Sequence, residues 1–520
     1  MIERRAFLIQ CAASVAASAA IGRLAAQTLR HDPFLLGVAS GSPSVDGMVL
    51  WTRLLAATLG EPLPSVPIEV RWELASDPQF KRIVKTGTEF AKPDFAHSVH
   101  VEVSGLEPSS PSFKPAFYWY RFIAGDAISP VGRTRALPHP ESRVPLTLAL
   151  ASCQNYEHGY FSAYRHMATE DVDVVVFVGD YIYEYGMTPN RTRQHNSPTA
   201  YTLDDYRARY ALYKSDADLQ AAHAAFPWIV TWDDHELEND YANDRSATDR
   251  GEQFMRKRAA AYRAYWEHMP LRQTQLPVGD MAQMYRRYAW GQTANLHMLD
   301  ARQYRDYQVC TPVDQGGSRT ITDQNCPERI SRSSSLLGLQ QETWLARSMA
   351  QSQTRFNIVG QASIMAQMRM PTNRSADTTT ADSFWNDSWD GYPLARQRAL
   401  EQWAQKKNVI SLGGDVHATY ISNLVSNFDD PKSPTLATEI VGTSITSPSW
   451  PQAATERIMS FNPHMKFGKS DQRGYTVVRI DEKLATVTPR VIDNARVRES
   501  TLSTAAQFVI ESTRPGVQQA

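Results

Sequence analysis

The chain has 520 residues, 42% of them apolar, with 54 basic against 55 acidic side chains and a formal net charge of -1. That composition is ordinary for a globular protein and excludes disordered, coiled-coil and collagen-like chains, while the length predicts more than one folding unit. The balanced charge offers no field to hold a nucleic-acid backbone or an anionic membrane surface, and no apolar run reaches the ~18 residues of a membrane span.

Residues 1–26 read as a signal peptide. Arg4 and Arg5 precede Phe7-Leu8, a weakly apolar Ala-rich stretch runs from Ala6 to Ile21, and Leu24-Ala25-Ala26 offers a small-residue end. The arginine pair with its Phe-Leu resembles the twin-arginine signal that exports folded proteins. The expected partner is therefore the twin-arginine translocation machinery, and the expected location periplasmic or secreted. Cleavage near Gln27 removes Cys11 and leaves Cys153, Cys310 and Cys326. The last two bracket a Gly-, Asp- and Thr-containing loop and look like a local disulfide, so Cys153 is left over.

Residues 31–137 read as all-β. Ile68–Leu74 and Ser98–Val103 alternate with period two, Phe117–Ile123 is aromatic and β-branched, and Gly and Pro turns separate them. About a hundred residues of this kind predict an immunoglobulin- or fibronectin-like sandwich. Pro138-His139-Pro140 reads as a linker. From 145 to 495 strand-like and helical runs alternate: strands at Leu146–Ala151, Val172–Val178, Trp228–Trp232, Asn295–Leu299, Phe356–Gly360, Val409–Leu412 and Glu439–Val441, and helices near 204–225, 252–268, 337–351 and 393–405. This predicts an α/β domain of mixed strand order with ligands at the carboxyl ends of its strands. Residues 496–520 are expected to form a helical tail.

Four strand ends carry potential metal donors. Ala149-Leu150-Ala151 leads to Cys153, Val178 to Asp180 and Tyr183, Trp232 to Asp234 and His235, and Leu412 to Asp415 and His417. One aspartate after an apolar strand is most simply a helix cap. Thiol, carboxylate, phenol and imidazole gathered at four such ends point to a metal centre.

Gly179-Asp180-Tyr181-Ile182-Tyr183 is a complete GDxxY element, and with Trp232-Asp233-Asp234-His235-Glu236 and Gly413-Gly414-Asp415-Val416-His417 it resembles the metallophosphoesterase superfamily in its purple-acid-phosphatase variant. Phe34–Gly41, Leu50–Arg53 and Asp300–Arg305 are similar to the PhoD-type alkaline phosphatases, and the resemblance covers nearly the whole chain. It implies a mixed-sheet metallophosphoesterase domain behind the sandwich, and hydrolysis of phosphate monoesters or diesters at alkaline pH. It also implies Asp180 bridging two metals. Cys153, Tyr183 and His417 complete a ferric iron site, while Asp234 and Asp415 complete a second site. With oxygen donors only, that second site suits Ca2+ or another hard divalent cation. His235 is implied as the group contacting the transition state or protonating the leaving group. Arg302 and Arg305, following a strand, fit either a bidentate phosphate contact or a surface or structural salt bridge. The superfamily's VxxH histidine is missing; Gln361 stands at the similar strand end.

Two other functions fit parts of this pattern: a phospholipase D-like diesterase, and a non-catalytic surface-binding protein with a structural metal. Arg207, Arg209, His195 and His223 read as structural. The Trp385–Asp390 segment reads as a surface loop.

Overall fold

Near-continuous apolar runs have no polar face to give to water, so they need cover on both sides. In the computed structural model, which describes residues 31–57, 63–312, 314–371, 381–406 and 408–519, that cover is four layers deep. The expected signal segment lies outside the described residues. An eleven-stranded sheet holds Leu146–Ala151, Val174–Val178 and Pro227–Thr231 as parallel neighbours. A seven-stranded sheet holds Ala294–Met298, Phe356–Gly360, Val409–Gly413 and the end of Thr435–Val441, also parallel.

The two sheets face one another. Leu148, Leu150, Val176, Val178 and Ile229 from the first interdigitate with Leu296, Ile358, Ile410 and Ile440 from the second. Alternate residues of the same strands point outward. Ala149, Val175, Phe177 and Trp228 pack on the helices Ser162–Met167, Leu203–Lys214, Ala217–Ala225 and Gly251–His268, whose inner faces are rich in tyrosine. Val359, Val409 and Val441 pack on Leu339–Gln351 and Pro393–Trp403. The helix expected over 204–225 is two helices, because Asp216 caps a new one, accepting from the N–H groups of Asp218 and Leu219.

The N-terminal region is all-β as expected, but it is not a separate sandwich beyond a linker. Ile68–Ala75, Ile83–Ala91 and Tyr118–Ala124, with two short strands, form one five-stranded sheet. The facing strands Val38–Ser44, Gly47–Arg53 and Ser98–Val103 belong to the eleven-stranded sheet, joined through the parallel pair of Val38–Ser44 with Pro227–Thr231. Phe34, Leu50, Val70, Val101 and Phe122 fill the space between. The bounds 31–137 and 145–495 thus do not divide the sheet.

The C-terminal tail is not helical. Leu502–Thr504, Phe508–Glu511 and Val517–Gln519 are strands on the other edge of the same sheet. Phe508 and Ile510 alternate inward, a period-two pattern, and Pro515-Gly516 breaks any helix there.

Cys310 and Cys326 are bonded as expected, closing a loop of sequence separation 16. In the chain-entropy account such a loop stabilises the fold by ~3 kcal/mol. Replacing both cysteines by serine should lower the unfolding free energy in urea by about that amount; an unchanged midpoint would contradict it.

Candidate metal centre

The donors meet where the two sheets end. At each place the chain turns sharply out of its strand: Cys153, Asp180, Asp415 and His417 have φ of 57°, 59°, 65° and 55°. Non-glycine residues rarely adopt this left-handed region, which costs on the order of 1–3 kcal/mol each, so the surroundings must hold them there. Gly179 makes the closest approach possible. Its φ is 104°, and a Cβ on it would lie 2.5 Å from Cβ of Asp233.

Glu236 is the main brace. Its carboxylate accepts the backbone N–H groups of Asp180 at 3.1 Å, Tyr181 at 2.6 Å and Asp233 at 2.9 Å, tying two strand ends together. Arg209 donates to the carbonyls of Tyr183 and Tyr185 from below, a structural role as the sequence suggested. His195, on the Tyr185 carbonyl and Tyr213, and His223, on the Tyr181 hydroxyl, are structural too.

Donor atoms of Cys153, Asp180 and His417 lie within 4.8 Å of one another, and so do those of Asp180, Asp234 and His235. Asp180 belongs to both groups. Tyr183 joins the first: its hydroxyl donates to Oδ2 of Asp180 at 3.0 Å, accepts from Ser447 at 2.8 Å and lies 3.2 Å from Nε2 of His417. Nδ1–H of His417 donates to the Pro448 carbonyl at 2.9 Å, which leaves Nε2 with its lone pair toward the group. Burial also holds that ring neutral, with its pKa lowered to about 3.

The centre has more acid than the protein can neutralise. Oδ1 of Asp180 is buried without a hydrogen-bond partner. Burial, then the neighbouring Asp234, Asp233 and Glu236, push the Asp180 carboxyl well up, against the pull of His235. Asp415 is half-buried, and burial followed by Asp233 and Asp234 drives its carboxyl up as well. Burial and Asp180 do the same to the Cys153 thiol. An orphaned buried oxygen among three acids fits a bound cation, which would favour their charged forms.

His235 is fixed by a residue that the sequence reading passed over. Its Nδ1 lies 2.7 Å from Glu184, and its ring centroid is 4.1 Å from that of Tyr183. Burial opposes protonation, but Glu184, Asp234 and Asp180 together raise its pKa well above the usual value.

Arg302 is not a phosphate contact. It is 1% exposed, and its guanidinium is spent on three carboxylates: Nε on Asp233, Nη1 on Asp387 at 2.7 Å and Nη2 on Asp234 at 3.4 Å. Arg305 is likewise spent on the Asp387 carboxylate and carbonyl. Asp387 comes from the segment expected to be a surface loop, which is instead buried at Asn386, Asp387, Trp389 and Asp390. Gln361 is also withdrawn: its oxygen accepts from Ser363 N–H and the Trp389 indole, and its amide donates to the Ser363 carbonyl. The signal for Glu184 and Glu236 was position, each directly following a donor motif; nothing in the sequence tied Asp387 to Arg302.

Comparison with known proteins gives a consistent result. The PhoD-like phosphatase family pattern matches residues 148–488, and the PhoD-like phosphatase N-terminal domain matches residues 16–138. Alkaline phosphatase D of Bacillus subtilis (strain 168) is 44% identical over 511 residues, covering 95% of this chain and 84% of that protein. A solved structure of PhoD superposes with a TM-score of 0.86 at 42% identity, over 94% of this chain and 92% of that one. A purple acid phosphatase from yellow lupin seeds shares the fold at a TM-score of 0.51 and 11% identity, over 93% and 72% of the two chains.

Proposed function

Because this chain belongs to the PhoD-like phosphatase family, and is a metal-dependent hydrolase of phosphoric esters, we propose that its donor groups hold ferric iron and calcium around Asp180. Cys153, Tyr183 and His417, with Asp180, would hold the iron; a phenolate, a thiolate and a carboxylate would supply the negative charge that a trivalent ion needs. Asp234 and Asp415, with Asp180, would hold the calcium, carboxylate donors that suit a hard cation. The observation that supports this reading is the membership of Asp180 in both donor groups, with Oδ1 orphaned; the second group is completed by Asp234 and His235, and Asp415 stands outside both.

When bound, such a metal pair polarises the phosphoryl oxygens and activates the attacking water. The protein's own residues do the rest. Glu236 and the left-handed turns fix the donors before substrate arrives, so little reorganisation is left to the reaction. Glu184 holds the His235 ring on Nδ1, and the raised proton affinity keeps a proton on Nε2 for the departing alkoxide. Arg302 acts through Asp233 and Asp234 and is a positioning residue. Membership of the family removes the non-catalytic alternative.

Export belongs to the same proposal: Arg4-Arg5 with Phe7-Leu8 directs the protein through the twin-arginine machinery to the periplasm or outside, and the Cys310–Cys326 bond suits an oxidising compartment.

A small ester panel tests the reaction. The wild type should release inorganic phosphate from monoesters at alkaline pH, and His235→Ala should lose ~10²–10⁴-fold in kcat with iron and calcium contents unchanged. Release of alcohol head group alone would favour the phospholipase D-like alternative. Undiminished kcat in His235→Ala would remove its assigned role.

A further inference from the structure

Ser447 is fully buried and meets the first donor group from the loop that follows Thr435–Val441. Its Oγ lies 2.8 Å from the Tyr183 hydroxyl and 3.0 Å from the Cys153 carbonyl, and it has one hydrogen to give. The backbone N–H groups of Thr446 and Ser447 also point to the Cys153 carbonyl, at 3.5 and 3.3 Å. The next residue, Pro448, accepts from Nδ1 of His417 at 2.9 Å. One loop thus touches Cys153, Tyr183 and His417 together.

Arg473 fixes that loop. Its side chain is buried, and Nη1 donates to the carbonyls of His417 at 2.6 Å and Ser447 at 2.7 Å and to the Ser444 hydroxyl at 3.0 Å. Nη2 donates to the Ser470 carbonyl. Among the described residues no carboxylate forms an ion pair with it; Asp471, two positions earlier, pairs with Lys469 at 2.9 Å. Burying a guanidinium without an acid is costly, and here the fork is directed at the two segments that carry His417 and Ser447. His417 stands in a left-handed turn, φ 55°, which its surroundings must hold.

We propose that Arg473 and Ser447 are positioning residues for the iron donors. Arg473 locks the His417 and Ser447 backbones to one another, and Ser447 then gives its hydrogen to the Tyr183 oxygen. The Tyr183 hydroxyl now donates to Asp180. Once the phenol ionises on a metal its oxygen can only accept, and Ser447 is the donor placed to supply that bond. Hydrogen bonds to a charged oxygen are roughly twice as strong as neutral ones. The proposal deepens the reading of Cys153, Tyr183 and His417 as an iron site and rests on it.

The test is the visible charge-transfer band of the iron-loaded enzyme, together with the rate of iron release to a chelator. Ser447→Ala takes a hydrogen bond from the phenolate and raises the energy of its lone pairs. The band should move to longer wavelength, and iron should leave at least ~10-fold faster. Arg473→Lys, which cannot span both carbonyls, should act in the same direction, with Arg473→Gln in its place if that variant does not fold. The shifts of the Ser447 and Arg473 variants should not add in the double variant, because the arginine acts through the serine. Thr446→Val removes a hydroxyl of the same loop that donates to the Asn155 carbonyl and should leave the band in place. An unmoved band in Ser447→Ala, or an equal shift in Thr446→Val, would overturn the positioning role. An unmoved band in a folded Arg473 variant would overturn the part given to Arg473. A colourless iron-loaded wild type would overturn the Tyr183–iron reading and the proposal with it.

Discussion

Asp180→Asn should reduce kcat/KM by on the order of 10³-fold or more, a loss of about 4 kcal/mol in transition-state stabilisation. The carboxylate stands in both donor groups, and its Oδ1 has no protein partner to which the charge could otherwise belong. An amide offers one weak oxygen donor and turns an N–H2 toward the second cation, so both metals should be lost or displaced together. The fold should survive, because the Asp180 backbone N–H stays on Glu236 and its carbonyl still accepts from Gln154. Metal analysis alongside the assay decides the point. A folded Asp180→Asn enzyme with both metals and near-normal turnover would show that Asp180 does not bridge them.

Arg302→Gln should act on stability first. The guanidinium sits among Asp233, Asp234 and Asp387, all buried, and removing it leaves carboxylates without their counter-ion. Breaking a buried ion pair from one side typically costs about 3–5 kcal/mol, a large share of a domain's net stability. Asp387→Asn in the same background should recover part of that loss, because one of the stranded charges is then gone. A direct phosphate contact would behave otherwise: KM would rise with little change in the unfolding midpoint, and no partner substitution would restore it. Chemical denaturation of the single and double variants separates the two.

The contrast between Arg302 and the metal donors shows what sequence can carry. The proximity of Cys153, Asp180 and His417, and of Asp180, Asp234 and His235, was legible because each follows a strand written in apolar residues. Strand ends fix direction, and parallel neighbours must end on the same side. Arg302 follows a strand too, but whether an arginine faces substrate or a buried acid depends on what the rest of the chain brings to it. Asp387, 85 positions away, does that, and the polar run around Trp385–Asp390 looks like any surface loop until Asn386 and Asp387 are seen to be fully hydrogen-bonded indoors. The tail misled for a similar reason. The strands in 502–519 are only three or four residues long, so their alternation at Phe508 and Ile510 is brief, and their pairing on the edge of Leu484–Ile492 is a contact that so short a pattern does not specify. The sandwich was legible as β from its alternation, but the pairing of Val38–Ser44 with Pro227–Thr231 is a contact between distant segments that periodicity does not encode.

In the proposed centre the donors divide by chemistry: Cys153, Tyr183 and His417 would take iron, and the carboxylates of Asp234 and Asp415, with Asp180 shared, would take calcium. Chelation and selective restoration test it most directly. A calcium-selective chelator applied to the purified enzyme should abolish phosphate release while iron content and the visible absorption expected of a Tyr183 phenolate on ferric iron persist. Adding calcium should restore activity better than zinc does. Full recovery with zinc and none with calcium would contradict a calcium site at Asp234 and Asp415.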